Sequence, residues 1–147
     1  MNSETKLLFI DPIIFPVIYT GFYEAFTPWF KEKRKLDKTG NGVYILRSFN
    51  PVPRCLKTDE KGILYIGKGK LLTNSSRLGK FINALNKTEA AHDGGIRFNQ
   101  NKILEKFPLT TLTVEIILIE SPRELEVELL KNYQSEYGEL PPLNNQN

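Results

Sequence analysis

The chain has a single cysteine, Cys55, and a single histidine, His92. One cysteine cannot form a disulfide within the chain, and one cysteine with one histidine cannot supply the four ligands of a structural zinc site. Any metal that the protein binds would therefore be a hard cation held by oxygen ligands. The composition thus disfavours metallonucleases whose centres are built from several histidines.

Long apolar runs are also lacking. The longest spans residues 13–26 and is interrupted by Pro16 and Glu24, so it falls short of the roughly 20 apolar residues that cross a bilayer. The first residues lack the basic and apolar regions of a secretory signal. We therefore predict that the protein does not associate with a membrane and is cytoplasmic.

The charge is unevenly distributed along the 147 residues, which are expected to form one compact unit. The net charge is only +3, but residues 61–106 hold nine basic and three acidic residues, whereas residues 107–147 hold two basic and seven acidic ones. A basic middle segment suits a polyanion such as nucleic acid, and solvated helix faces are the alternative.

Apolar periodicity and turn residues predict the order of the secondary-structure elements. Residues 12–36 are predicted to be an amphipathic helix with a basic end. This helix belongs to a predicted N-terminal helical extension, residues 1–40, and the predicted domain spans residues 41–147. Strands are predicted at 43–46, 63–66 and 112–119, a loop or hairpin at 49–61, and helices at about 74–85, 96–107 and 122–137. The predicted fold class is α/β (α+β), a small three-stranded, mostly antiparallel sheet flanked by helices.

Residues 62–68 have the spacing G-x-x-x-x-G-K of a phosphate-binding P-loop. Gly69 stands where that motif needs a serine or threonine for magnesium, and the residues between the two glycines are typical of a strand. The P-loop interpretation therefore fails. Two interpretations of this stretch remain: a buried strand followed by solvated lysines, or part of an active site.

The surroundings of this stretch favour the active site. Gly42-Val43-Tyr44 begins one predicted strand, and Tyr65-Ile66-Gly67 ends the next. An arginine and a glutamate follow on two later helices, and an asparagine follows two prolines near the end of the chain. In this order the residues resemble the motifs of the GIY-YIG nuclease family over residues 41–144, closest in style to its stand-alone restriction enzymes.

The resemblance implies a metal-dependent endonuclease that hydrolyses DNA phosphodiester bonds with one divalent ion, Mg²⁺ or Mn²⁺. In the family the first tyrosine, here Tyr44, is the base that activates water, and the second, Tyr65, supports the phosphate or the water network. By the same resemblance Arg77 holds the scissile phosphate and Glu126 binds the ion. Asn144 would order the site from the end of the chain.

Phosphodiester hydrolysis needs the same kinds of groups, namely an arginine and a carboxylate. The reaction needs a positioned oxygen nucleophile and neutralisation of the charge on the phosphate oxygens. A planar arginine suits a phosphate better than a lysine does. Glu126 shares its side of the predicted helix with Leu129, Leu130 and Tyr133, whereas Glu128 points elsewhere. Glu124 and Glu128 are expected to be ordinary solvated residues. A carboxylate beside an apolar stripe needs a partner, such as a metal or Arg77.

Further candidates are phosphate-contacting lysines and structural glycines that are predicted to permit tight turns: Lys68, Lys70 and Lys80, and Gly42 and Gly67. His92 lies where members of the family often carry a histidine. The position four residues after the arginine, which in the family usually bears His or Tyr, is Phe81. Phenylalanine cannot pass a proton, so any role held there would be absent or moved to His92.

The distance between the two tyrosine motifs exceeds the compact spacing of the family, so residues 49–61 are interpreted as an insertion. In the restriction-enzyme branch extra segments embrace DNA, and Arg54, Lys57 and the basic end of the first helix are the candidates here. The alternatives are a nucleic-acid-binding module that kept the fold without the chemistry, a phage or mobile-element nuclease, and a catalyst acting on RNA. A homodimer that cuts both strands is the expected assembly.

Overall fold

The computed structural model describes residues 13–33, 40–69, 77–86 and 106–144, with Tyr19, Thr20 and Arg77 described by their backbone alone. The strands are β1 (Ile13–Pro16), β2 (Gly42–Ser48), β3 (Val52–Pro53), β4 (Thr58–Asp59), β5 (Ile63–Gly69) and β6 (Leu112–Leu118). The helices in these residues are α1 (Tyr19–Lys33), α2 (Arg77–Leu85) and α3 (Pro122–Tyr137), with a 3-10 turn at Leu109–Thr111.

The central sheet is antiparallel and has four strands in the order β1-β6-β2-β5, while β3 and β4 form a separate two-stranded hairpin. The mixed α+β class is confirmed, but the predicted count of three strands in the sheet is wrong. The fourth strand, β1, comes from residues predicted to be helical. Its exposure alternates, with Phe15 buried between exposed Ile14 and Pro16, which is the period of a strand.

Each face of the sheet is covered by different helices. On one face, which we call the aromatic face, α1 and α2 pack against the sheet. The side chains buried there include Phe15, Phe22, Phe26, Tyr44, Tyr65 and Phe81. On the other, which we call the α3 face, leucines of α3 pack against Val43, Ile45 and Ile66 of β2 and β5. Because side chains alternate along a strand, neighbours such as Val43 and Tyr44 point to opposite faces.

The three helices largely match the sequence prediction. In α1, Phe22, Phe26 and Phe30 recur at helical spacing and are buried, and the helix ends on Lys31 and Lys33. This confirms an amphipathic helix with a basic end, although it starts at Tyr19. Since its aromatic side chains belong to the same core as those of the sheet, the predicted boundary at residue 40 does not separate two cores in the described residues.

The ends of α3 follow from local sequence. Pro122 opens the helix after Ser121, and Gly138 closes it in the left-handed conformation with φ of 85°. The Ser121 side chain makes no capping hydrogen bond. The predicted helix at 96–107 lies almost entirely outside the described residues. Among the helices that are described, none is both long and apolar enough to cross a membrane.

Candidate functional site

Three strand ends meet at one end of the sheet. Gly42, the first residue of β2, pairs with Gly69 at the end of β5 and with Leu118 at the end of β6. We call this the Gly42 end. Helix α3 begins at Pro122, directly after β6 has ended there, and α2 follows β5 after residues 70–76. The strands that carry the predicted tyrosines and the helix that carries the predicted glutamate therefore start or finish at the Gly42 end.

The two predicted tyrosines lie side by side on the aromatic face. The ring centroids of Tyr44 and Tyr65 are 6.1 Å apart, and they lie 5.4 and 5.1 Å from the ring of Phe81 on α2. Tyr44 is 0% exposed and Tyr65 is 6% exposed. The sequence-based expectation that the two tyrosines project from one face is thus met by the register, and Phe81 is packed against both.

Gly67 provides the space in which the two rings converge. It pairs with Tyr44 across the strands, and a Cβ at this position would lie 2.7 Å from Cε2 of Tyr65 and 2.9 Å from Cζ of Tyr44. Real Cβ atoms do not tolerate such distances, so only glycine fits beneath these rings. Since Cζ carries the hydroxyl, the polar end of Tyr44 lies beside Gly67.

Gly42 is also required for close packing. A Cβ there would lie 2.5 Å from the carbonyl oxygen of Ile117 on the neighbouring strand. Gly42 and Gly67 both lie within strands, and neither is among the glycines with positive φ, which are Gly40, Gly62 and Gly138. The prediction that they permit tight turns is therefore wrong, because what each lacks is room for a side chain.

Glu126 lies on α3, on the opposite side of the sheet from the two tyrosines. Its neighbours Leu125 and Leu129 pack on the α3 face, and Glu126 is half-buried, whereas Glu124 and Glu128 are exposed. The helical spacing thus correctly singled out Glu126 from the other two glutamates. Carboxylate oxygens are the ligands that hard divalent cations such as Mg²⁺ prefer. It is one turn into α3, close to the Gly42 end.

Asn144 holds the edge of the sheet. Its side-chain amide accepts a hydrogen bond from the Ile66 N–H at 3.1 Å and donates one to the Ile66 carbonyl at 2.9 Å. The adjacent Leu143 N–H donates to the carbonyl of Leu64 at 2.9 Å. Because β5 is at the edge of the sheet formed by the described residues, these bonds satisfy backbone groups that no strand described there meets. Asn144 thereby fixes the backbone between Tyr65 and Gly67.

The predicted basic residues fall into different places. Lys68 pairs with Val43, so it shares the α3 face and is half-buried. To make the predicted contact with a phosphate held beside Tyr44, Lys68 would have to reach it from the other side of the sheet. Lys80 is exposed on α2. Lys70, His92 and the side chain of Arg77 lie outside the described residues.

The 49–61 insertion lies at the other end of the sheet. It leaves β2 at Ser48 and enters β5 at Ile63, so it is separated from the Gly42 end by the length of the strands, about 20 Å. Its two basic candidates for DNA contact are already paired: Arg54 with Glu139 at 2.9 Å and Lys57 with Glu136 at 2.9 Å. This geometry does not favour the insertion as an arm that embraces DNA beside the tyrosines.

One buried polar group was missed by the sequence reasoning. Asp59 is 0% exposed and accepts hydrogen bonds from the backbone N–H groups of Lys61 and Ile63 and from the hydroxyl of Tyr133 at 2.9 Å. Burial, and then this hydrogen bond, raise the pKa of Tyr133 above its ordinary value. The turn chemistry of an aspartate three residues before Gly62 was the available signal.

No protein-family model, curated protein or solved structure matches the chain. The arrangement of its own residues therefore carries the functional argument.

Proposed function

We propose that the protein is a metal-dependent endonuclease of the GIY-YIG type that hydrolyses phosphodiester bonds of DNA. The observation that carries the proposal is the convergence of Tyr44 and Tyr65 over Gly67. Glu126 lies on the opposite side of the sheet, near the Gly42 end, so a phosphate would have to meet both sets of groups around the strand ends. Helix α3 also begins at this end, and the first turn of a helix favours an anion.

In the proposed reaction, water attacks the phosphorus in line and the 3′ oxygen departs. Tyr44, as its phenolate, takes a proton from the water, the departing 3′ oxygen takes one from solvent, and Tyr65 and Arg77 hold the phosphate oxygens. Glu126 would hold Mg²⁺ or Mn²⁺, which when bound would neutralise charge on the phosphate and the departing oxygen. Asn144 contributes by keeping the backbone of Ile66, between Tyr65 and Gly67, in place.

A second function, a DNA-binding module without catalysis, is favoured by the packing around Tyr44. A phenol in apolar surroundings keeps its proton unless a cation lies close to it. Tyr44 is 0% exposed and lies against Phe81, which cannot relay a proton. In this alternative the two tyrosines are core residues, and the Gly42 end binds the phosphate backbone alone.

A plasmid-nicking assay with and without Mg²⁺ separates the two functions. The endonuclease is expected to nick DNA only with the metal, and Glu126→Ala should lower the rate by about a hundredfold or more, since the loss of a metal ligand costs several kcal/mol of transition-state stabilisation. The matched control is Glu128→Ala, which removes an exposed carboxylate of the same helix and should leave the rate unchanged.

Tyr44→Phe tests the base directly, because it keeps the buried ring and removes the hydroxyl. Loss of a general base should slow nicking by about 10²–10⁴-fold with little change in DNA binding. DNA binding by the wild type without metal-dependent nicking would instead establish the binding module. Labelled RNA in the same assay tests the remaining substrate, and analytical ultracentrifugation on DNA tests the proposed homodimer.

A further inference from the structure

The buried carboxylate of Asp59 has no part in the proposed chemistry, and burying a charge is costly unless donors surround it. Three donors do so: two backbone N–H groups at the start of β5 and the hydroxyl of Tyr133 on α3. Asp59 therefore ties the strand that carries Tyr65 to the helix that carries Glu126. The rest of the insertion makes further bonds to the end of α3 and to the residues that follow it.

These bonds are made at the end of α3 and in the residues just after it. Arg54 donates to the carbonyl of Leu140 at 2.7 Å, and its guanidinium pairs with Glu139. The N–H of Leu56 donates to the carbonyl of Tyr137 at 3.0 Å, and the N–H of Cys55 donates to the Glu139 carboxylate at 2.8 Å. Hydrogen bonds and ion pairs are directional, so they fix the position of the end of α3 relative to the sheet.

Packing against the sheet would by itself only weakly restrain the rotation of α3 about its own axis. The contacts of Leu125, Leu129 and Leu130 with β2 and β5 are apolar and therefore not directional. Tyr133 lies seven residues after Glu126, two turns along and nearly on the same side of the helix. A rotation of about 20° would move a carboxylate at the helix surface by roughly 2 Å. A misplacement of about 1 Å can slow a reaction by about a hundredfold.

We propose that the 49–61 insertion is a brace for α3, and that Asp59 and Tyr133 are positioning residues that hold Glu126 at the metal site. The positioning role rests on the proposed endonuclease function, whereas the brace itself does not. The insertion lies at the end of the sheet opposite to the Gly42 end. Helix α3 finishes there, so the insertion is in the right place to hold the end of this helix.

The test compares Tyr133→Phe, which removes only the hydroxyl bonded to Asp59, with Val17→Ala as a control. Val17 is buried on the aromatic face, away from α3, so the control lowers stability without touching the brace. For Tyr133→Phe the Mg²⁺ concentration that gives half-maximal nicking should rise about fivefold or more, and kcat should fall while KM for DNA is unchanged. Saturating Mg²⁺ should restore part of the rate. Val17→Ala should leave the Mg²⁺ midpoint unchanged.

Hydrogen exchange provides a readout that does not depend on activity. The amides of the first two turns of α3 should exchange about threefold faster or more in Tyr133→Phe than in Val17→Ala. An unchanged Mg²⁺ midpoint in an active Tyr133→Phe would overturn the positioning role, and equal exchange in the two variants would overturn the brace. A wild type that never nicks DNA refutes the endonuclease and with it the positioning role, and exchange then decides the brace alone.

Discussion

Replacing Gly67 by alanine tests the central geometry of the candidate site. The new Cβ would lie 2.7 Å from Cε2 of Tyr65, and 2.9 and 3.0 Å from Cζ and Cε2 of Tyr44. Carbon atoms prefer separations of about 3.5–4.0 Å, so at least one ring must move. Both rings are backed by Phe81, which is itself fully buried, and this leaves them little room.

The expected size of the effect follows from these contacts. Overpacking of a core costs about 1–3 kcal/mol. Replacing a glycine also lowers the entropy of the unfolded chain, which offsets about 0.4–1 kcal/mol. The net loss is therefore about 1–2 kcal/mol, and for a domain of this size it lowers Tm by roughly 2–8 °C. Because the displaced ring ends bear the hydroxyls, nicking should slow by more than the loss of folded protein explains.

Urea denaturation and calorimetry measure the stability, and near-ultraviolet circular dichroism reports on the tyrosine rings. The matched control is Gly21→Ala in α1, whose Cβ would meet Cγ of Pro16 at an ordinary 3.5 Å. Alanine in a helix stabilises by roughly 0.5–1 kcal/mol relative to glycine, so this variant should be as stable as the wild type or more so. A Gly67→Ala protein with wild-type stability and an unchanged tyrosine spectrum would refute the convergence of the rings over Gly67.

Three further predictions concern the edge strand and the end of α3. Asn144→Ala leaves the N–H and carbonyl of Ile66 without their amide partner, so the free energy of unfolding should fall by about 1–3 kcal/mol in urea, and the Ile66 amide should exchange faster. Gly138→Ala forces a side chain into a left-handed backbone with φ of 85° and against Leu56, and calorimetry should show a loss of about 1–2 kcal/mol or more. Hydrogen bonds with Lys57 and Cys55 lower the pKa of Glu136 and Glu139, respectively, below the ordinary 4.5. The stability advantage of the wild type over the Glu136→Gln/Glu139→Gln variant should hold above pH 4.5 and disappear as the pH falls through the lowered values, and a difference that persists at pH 2 would contradict it.

Where local sequence contains the determining residues, prediction of the fold succeeded. The start of α3 at Pro122 and its end before Gly138 could be predicted, as could the buried faces of α1 and α2, because caps and helical spacing act over a few residues. β1 was missed because it is only four residues long and runs directly into an apolar helix. Its strand conformation depends on pairing with β6, about 100 residues away.

The candidate site was predictable in its members more than in its arrangement. Helical spacing distinguished Glu126 from Glu124 and Glu128, and strand order placed the tyrosines together. The role of Gly67 depends on a ring that reaches it from the opposite strand, which no local pattern contains. The buried state of Asp59 is likewise set by a hydroxyl 74 positions away in sequence.

In the proposed endonuclease, the groups expected to bind and to cleave DNA lie on two faces of the sheet, so binding and cleavage should be separable. Lys68 and the beginning of α3 belong to the α3 face, while the hydroxyl-bearing ends of Tyr44 and Tyr65 lie on the aromatic face. A phosphate can reach groups of both faces only around the strand ends, at Gly42 and Gly69. A DNA backbone could therefore bind Lys68 without contacting either tyrosine.

Lys68→Ala should weaken DNA binding and reduce its salt dependence in an endonuclease and in a binding module alike, because phosphate contacts carry that dependence. In the endonuclease Tyr44→Phe should slow cleavage and leave DNA binding unchanged, whereas in the binding module it should leave binding unchanged and there is no cleavage to lose. The pair of variants therefore measures whether the buried hydroxyl takes part in chemistry.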